Sequence, residues 1–431
     1  FGLQATPTRP MPADPDWRRT GAVSGVPVDY KIMGMSMYWG VDLYGVVPRG
    51  GDFEIVKKIA AVGRGEGRDN AFFDAYISKN PDFKNEVNWS ANGGAVAGMI
   101  PYTNLRGDNT RSAEWFVYQD EWRKDAFPDR VAQPGQGGAI DFCVALPPSR
   151  ADYLLYNYQK IVENGFAAPY WDNIYIVANE NPVSGTAYAR KTGGVQPEAD
   201  IWRIREVTKR TAVMLHKMGK RNVSVPHVTN AQLIPAFTWS GLSLDWEWKY
   251  GGSDFQDRFS REYTRASSIG RQSGSIPLIL QGITEVREPE AVKWCERTRI
   301  AACAPHEIKV WQTDTLFGNL TKKMLELGYG TPDCEVHNYW EENPVVKVEG
   351  LDAAYLLLDG KEGVLLVVSD YGSGGTARVT LDVKRLGLSP DFKAANWEKP
   401  DETFTAAAGA ITIPDIRKHD FRALVIAKPG K

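Results

Sequence analysis

Three carboxylates stand where short apolar runs end, and each has aromatic neighbours: Asp172 in PYWDN, and Asp245 and Glu247 in LDWEW. Two carboxylates facing each other across an aromatic cleft are the machinery of glycosidic bond cleavage. One attacks the anomeric carbon or activates water, and the other protonates the leaving oxygen. Aromatic rings suit sugars because the C–H faces of a pyranose stack on them. Tyr38, Trp39, Tyr102, Tyr170, Trp171, His227 and Trp246 end the same runs or flank these acids, and they are the candidate substrate-binding residues. Strand alternation puts Tyr170 and Asp172 on one face, and Asp245 and Glu247 together on one face with Trp246 and Trp248 on the other. If those acid-bearing faces point to one mouth, Asp172 with Asp245 or Glu247 forms the catalytic pair.

Each candidate has a plainer reading. A strand-end Asp can cap the next helix or pair with an Arg. His227 can be a satisfied structural histidine. Trp39, Trp115 and Trp122 can be core residues, taken singly. Asp120 and Glu121, adjacent in YQDEW, read as an acidic pair in a loop, either a surface charge cluster or part of a sugar site. Asp254 and Asp257 follow LDWEW and read as helix caps rather than metal ligands. No metal and no cofactor is assigned: there is no HExxH, no CxxC pair and no Gly-x-Gly-x-x-Gly after an apolar strand.

The elements that must position these residues follow from periodicity. Short strands are expected at 30–39, 95–104, 167–176, 222–230, 241–248 and 275–283. Amphipathic helices are expected at 53–62, 151–165, 201–220, 255–270 and 313–330. Two further strands are expected within 64–93 and 299–312. Strands separated by helices of this length imply parallel βα units, and their number fits a (β/α)8 TIM barrel rather than an open sheet. Beyond residue 336 the text becomes all-β, with DGKEG and GSGG as turns, and reads as a small sandwich. The expected organisation is an N-terminal arm at 1–28, a barrel at 29–335 and a β-sandwich at 336–431.

Composition bounds the partners. The 431 residues carry 51 Lys and Arg against 53 Asp and Glu, which argues against a dedicated nucleic-acid binder. No apolar run is long enough to span a membrane. Four cysteines are too few for a disulfide framework. Fourteen tryptophans are many for this length and divide between core and sugar platform. The chain begins at Phe1, as a processed product or an excised piece would.

The run from LQATPTRPMP through YWDN, VPHVTN, LDWEWKYGGSDFQDRFSREY and SIGRQSG to the final β module resembles bacterial glycoside hydrolase-like proteins related to glycoside hydrolase family 123. That resemblance implies a (β/α)8 barrel with a C-terminal β-sandwich, a carbohydrate substrate and a secreted or periplasmic bacterial protein. It also implies a choice of mechanisms. Family 123, like family 20, uses an adjacent Asp-Glu pair in substrate-assisted hexosaminidase chemistry, and Asp120-Glu121 is the adjacent pair here. Retaining α-galactosidase-like barrels place a nucleophilic Asp in a Tyr-Asp-Asn type motif, with an acid/base Asp two strands on. The segments at 170–173 and 244–248 are similar in kind and order. The expectation is a retaining glycoside hydrolase with Asp172 as nucleophile and Asp245 or Glu247 as acid/base. The alternatives are the hexosaminidase and a non-catalytic carbohydrate-binding barrel. Oligomeric state stays open.

Overall fold

A computed structural model describes residues 8–20, 30–33, 53–79, 98–109, 113–124, 140–141, 145–172, 174, 176–185, 187–227, 233–247, 254–267, 271–280, 288–311 and 315–429. The chain is mixed α/β with a β-rich C-terminal region. It divides into two compact units, one holding residues 1–11, 28–246 and 269–276, the other 12–27, 247–268 and 277–431. Among the described residues no helix is long and apolar enough to cross a membrane.

The first unit is organised by parallel strands: β1 (Tyr30–Met33), β2 (Gly98–Asn104), β3 (Tyr170–Asp172), β4 (Val225–Pro226) and β5, whose strand residues run Leu242–Glu247. β1 pairs with β2, β2 with β3 and β3 with β4, all parallel, and a parallel bridge joins His227 to Leu244 at the start of β5. Each strand therefore follows its predecessor in space, as βα units require. The register sets Asn104 beside Asp172, and Tyr102 and Val225 on either side of Tyr170.

The helices between the strands are amphipathic for a reason visible in their residues. Helix α4 (Pro148–Glu163) follows α1 (Phe53–Gly63), α2 (Asn70–Lys79) and α3 (Ala113–Trp122). It starts on a proline whose missing N–H costs nothing there, and buries Ala151, Leu154, Leu155, Tyr158, Ile161 and Val162 at helical spacing. It stops at Asn164–Gly165, with Gly165 at φ 108°. Helix α5 (Ile201–Lys217) buries Ile204, Val207, Thr211 and Leu215, and carries His216 and Lys217 at its C-terminal end, where cations suit the helix dipole. One hydrophobic cluster joins Ile55 and Ile59 of α1, Leu154 and Tyr158 of α4, Val207 of α5 and Trp171 of β3.

The turn after β2 is tied to α5 by charge. Arg106 and Asp200, 1% and 0% exposed, pair through both guanidinium nitrogens, with Nη2–Oδ1 at 3.0 Å. Asp200 precedes α5 without capping it through its side chain. Arg150 of α4 donates to the Gly107 carbonyl at 2.9 Å and lies 5.0 Å from the Trp122 ring centroid. The N-terminal arm is docked where it is described. Thr8 Oγ1 meets Thr238 Oγ1 at 2.6 Å, and Arg9 Nη2 donates to the carbonyls of Ser240 and Gly274, each at 2.8 Å.

The second unit has the parallel pair β6 (Ile276–Leu280) and β7 (Lys309–Trp311). Within its share of the arm, Trp17 is 2% exposed and Arg18 pairs with the buried Glu307 at 2.5 Å. Its C-terminal part is antiparallel. The strands in chain order are β8 (Glu335–Asn338), β9 (Val346–Glu349), β10 (Ala353–Asp359), β11 (Gly363–Asp370), β12 (Gly374–Leu381), β13 (Lys393–Asn396), β14 (Thr403–Thr405), β15 (Ala410–Arg417) and β16 (Phe421–Ala427). One sheet runs β8-β10-β11-β16-β13-β14 and the other β9-β12-β15, and both supply the same core, with Leu366, Val368 and Leu424 from the first and Val379, Ile411 and Ile413 from the second. Every residue of β11 is buried, because helix α8 covers its other face. That helix (Pro289–Cys303) comes after α6 (Phe255–Arg258) and α7 (Arg261–Ser267). Burial on both faces explains its unbroken apolar text.

The expected strands at 167–176, 222–230, 241–248 and 275–283 are present in shortened form, that at 95–104 runs from Gly98, its first described residue, and that at 30–39 is seen over Tyr30–Met33, with 34–39 outside the described residues. Helix 255–270 is split into α6 and α7, and of the segment 64–93, expected to hold a strand, 64–79 holds helix α2 while 80–93 lies outside the described residues. The strand expected within 299–312 is β7. Strands β8, β13 and β14 were not expected. Cys295, Cys303 and Cys334 are buried, and Cys143 lies outside the described residues. Removing one partner of the Arg106–Asp200 pair leaves a buried uncompensated charge. Asp200→Ala should therefore lower unfolding free energy by about 3–5 kcal/mol in urea titrations; a loss under about 1 kcal/mol would mean that the pair does not hold the turn.

Candidate active site

Two residues at the end of β3, Tyr170 and Asp172, meet His227 just beyond β4. Its Nδ1 lies 2.9 Å from Asp172 Oδ1 and 2.9 Å from the Tyr170 hydroxyl. With Asp172 ionised, Nδ1 carries the proton and donates to it, and the Tyr170 oxygen shares that hydrogen as a second acceptor. The parallel ladder sets this arrangement: His227 N–H donates to the Trp171 carbonyl at 2.8 Å, and Leu105 N–H to the Asp172 carbonyl at 3.0 Å. Tyr170 and Asp172, two apart, share a face as alternation requires. The Asp172 side chain is 20% exposed and that of His227 4%, so the acid meets solvent while the imidazole lies behind it.

Trp171 explains why the face is fixed. It is 0% exposed and packs edge-on against Tyr158 at 6.0 Å and 62°. Flipping β3 by one residue would put this indole where Asp172 stands and the carboxylate into the core. The expectation that Trp171 binds substrate is therefore corrected: alternation turns it to the opposite face from Tyr170 and Asp172. Tyr170 is corrected in the same sense. At 1% exposure its hydroxyl serves His227.

Among the described residues, two buried polar atoms at this level have no hydrogen-bond partner, His227 Nε2 and Asn104 Nδ2. Asn104, the register partner of Asp172, uses its Oδ1 to accept from the Arg106 and Gly107 amides at 2.8 and 3.0 Å. Such an Asx turn fixes the side chain and leaves its amide N–H groups for another acceptor. Asn104 closes the apolar run AVAGMIPYTN, yet nothing in the sequence marks its amide as unsatisfied.

The remaining candidates fall in two groups. Asp120 and Glu121 lie on the last turn of α3, not in a loop after a strand. Asp120 is exposed, and its backbone carbonyl accepts from Asn181 Nδ2 at 2.7 Å. The pair is corrected to a helix-surface acidic pair, because Trp115 and Trp122 claim the buried side of α3. Tyr102 pairs with Tyr170 through its backbone, and Asp245, Trp246 and Glu247 belong to β5. The side chains of these four lie outside the described residues, as do Tyr38 and Trp39 altogether. Leu244 is the β5 residue level with His227.

In the second unit, Asp254, Asp257 and His419 place ligand-type atoms within 4.8 Å of one another, as do Glu335, His337 and Asp359. The first group is already hydrogen-bonded. Asp254 accepts from Trp294 Nε1 at 2.5 Å and His419 Nδ1 at 2.9 Å, and Asp257 accepts from Lys418 Nζ at 3.0 Å. Asp254 makes no side-chain cap on α6, so the capping expectation is replaced by this network.

No family model and no curated protein matches the sequence. Solved structures that align with this chain include a noncanonic maltogenic α-amylase from Thermotoga neapolitana, at 9% identity over 93% of this chain and 91% of that one, TM-score 0.46. A GH27 β-L-arabinopyranosidase from Geobacillus stearothermophilus has 11% identity over 97% and 99%, TM-score 0.48. A putative α-N-acetylgalactosaminidase from Bacillus halodurans C-125 has 12% identity over 93% and 89%, TM-score 0.47. At these scores no property of those proteins transfers to this chain.

The geometry makes a direct prediction about His227. In its neutral ring Nδ1 is protonated and Nε2 bare, so nitrogen-15 NMR should show that tautomer for the resonance lost in His227→Gln. Asp172→Asn should move its Nδ1–H proton upfield. A neutral ring protonated at Nε2 would contradict the hydrogen bond to Asp172.

Proposed function

We propose that the chain is a glycoside hydrolase on a (β/α)8 barrel with a C-terminal β-sandwich, acting on a poly- or oligosaccharide with retention of configuration. The observation that carries the reading is Asp172. Its carboxylate ends a strand, is held by His227 and reaches solvent, and two buried polar atoms at the same level lack partners among the described residues. A site that leaves such atoms unsatisfied suits a ligand rich in hydroxyl groups, which can donate to His227 Nε2 and accept from Asn104 Nδ2. The resemblance to family 123-related proteins and to α-galactosidase-like barrels points the same way, and a secreted or periplasmic location accords with it.

In this mechanism Asp172 attacks the anomeric carbon and forms a glycosyl ester. The acid/base, Asp245 or Glu247, gives its proton to the leaving oxygen and then takes one from the water that breaks the ester. Retention requires the two carboxyls about 5–5.5 Å apart. His227, fixed by Tyr170, holds the Asp172 carboxylate in one rotamer throughout.

Reducing-sugar release from a panel of polysaccharides tests the proposal. Asp172→Asn should lower turnover by roughly 10³-fold or more, and so should one of Asp245→Asn and Glu247→Gln. The first-formed product should keep its anomeric configuration by proton NMR. Unchanged turnover in Asp172→Asn would remove Asp172 from the mechanism.

A further inference from the structure

The second unit holds a cavity of about 460 Å³, within the size range of small-molecule sites. Tyr339 and Trp340, which follow β8, line it with their rings 4.9 Å apart at 79°. Val348 of β9 and Leu351 extend the apolar wall, and Tyr355 of β10 also lines it. Tyr355 is 5% exposed, yet its hydroxyl has no hydrogen-bond partner among the described residues. Burial, with Glu341 adding to it, pushes this phenol up to about 12, so at neutral pH it is an uncharged donor.

The rings are braced before any ligand arrives. His306 lies against the Trp340 ring at 5.9 Å and 22°, and its Nε2 meets the Tyr339 hydroxyl at 2.9 Å. Rigid aromatic surface binds with little ordering cost. The rim is polar: Arg261 pairs with Glu262 at 2.7 Å and with Asp352, Lys347 pairs with Glu349 at 2.7 Å, and Arg265 lies 5.7 Å from the Trp340 ring centroid. A charged ligand would have to break these pairs, whereas hydroxyl groups can share their oxygens and N–H groups.

We propose that this cavity is a carbohydrate-binding site made of none of the Asp172 residues, taking one pyranose of a neutral oligosaccharide. The sugar's C–H face lies on the aromatic and aliphatic wall, a hydroxyl accepts from Tyr355, and rim groups take the others. The assignment comes from the cavity itself and does not require Asp172 to be catalytic.

The test uses the full chain carrying Asp172→Asn, so that sugars are not turned over through that residue. Malto-, cello-, xylo- and mannohexaose are titrated while the Trp340 indole N–H is followed by NMR, assigned by its loss in Trp340→Phe. At least one hexaose should shift this resonance saturably at millimolar concentration. Tyr355→Phe, which keeps the ring, should weaken that binding by about tenfold. The proposal is overturned if no hexaose moves the resonance, if Tyr355→Phe binds as before, or if hexagalacturonate binds better than every neutral sugar. Binding with no hydrolysis by the wild-type chain would leave this site standing and remove the Asp172 mechanism.

Discussion

The candidate active site depends on one nitrogen. Nδ1 of His227 holds an aspartate and a tyrosine that stand two residues apart on the neighbouring strand, both at 2.9 Å. That contact is available only because β3 and β4 are parallel and in a register that puts Tyr170 beside Val225. The register in turn rests on Trp171, whose buried indole forbids a one-residue slip. Backbone ladder, core packing and polar site thus constrain one another, and none of the three could be changed alone.

Much of this frame was legible. The helices α4 and α5 announce themselves through apolar spacing and their stops, and Gly165 follows Asn164 where the helix must end. The parallel strand order follows from alternation of strands and helices in the text. Asp172 and His227 were legible as strand-end residues because polar groups are rarely placed at the close of an apolar run without a use.

What was not legible needs three dimensions. YWDN presents two aromatics before an acid, and only the pleat decides which one faces the core. Asp120 and Glu121 read as loop residues in the sequence, but they lie on the last turn of α3, where Asp120 is exposed and Glu121 half-buried. The Arg106–Asp200 pair joins residues 94 apart in sequence, and no local pattern foretells it. Strands β13 and β14 are short and rich in alanine and threonine, so they lack the apolar signature of their neighbours. The cavity at Tyr355 is invisible for the same reason: its wall comes from β9, β10 and α7, and its unmet hydroxyl shows only when every neighbour is placed.

Covalent trapping measures the central claim most directly. The protein is incubated with activated 2-deoxy-2-fluoroglycosides of the sugars it hydrolyses, and the peptides are mapped by mass spectrometry. The account predicts a stable glycosyl adduct on the peptide containing Asp172, absent from Asp172→Asn. An adduct on another carboxylate, or hydrolysis with inverted configuration and no adduct, would contradict it.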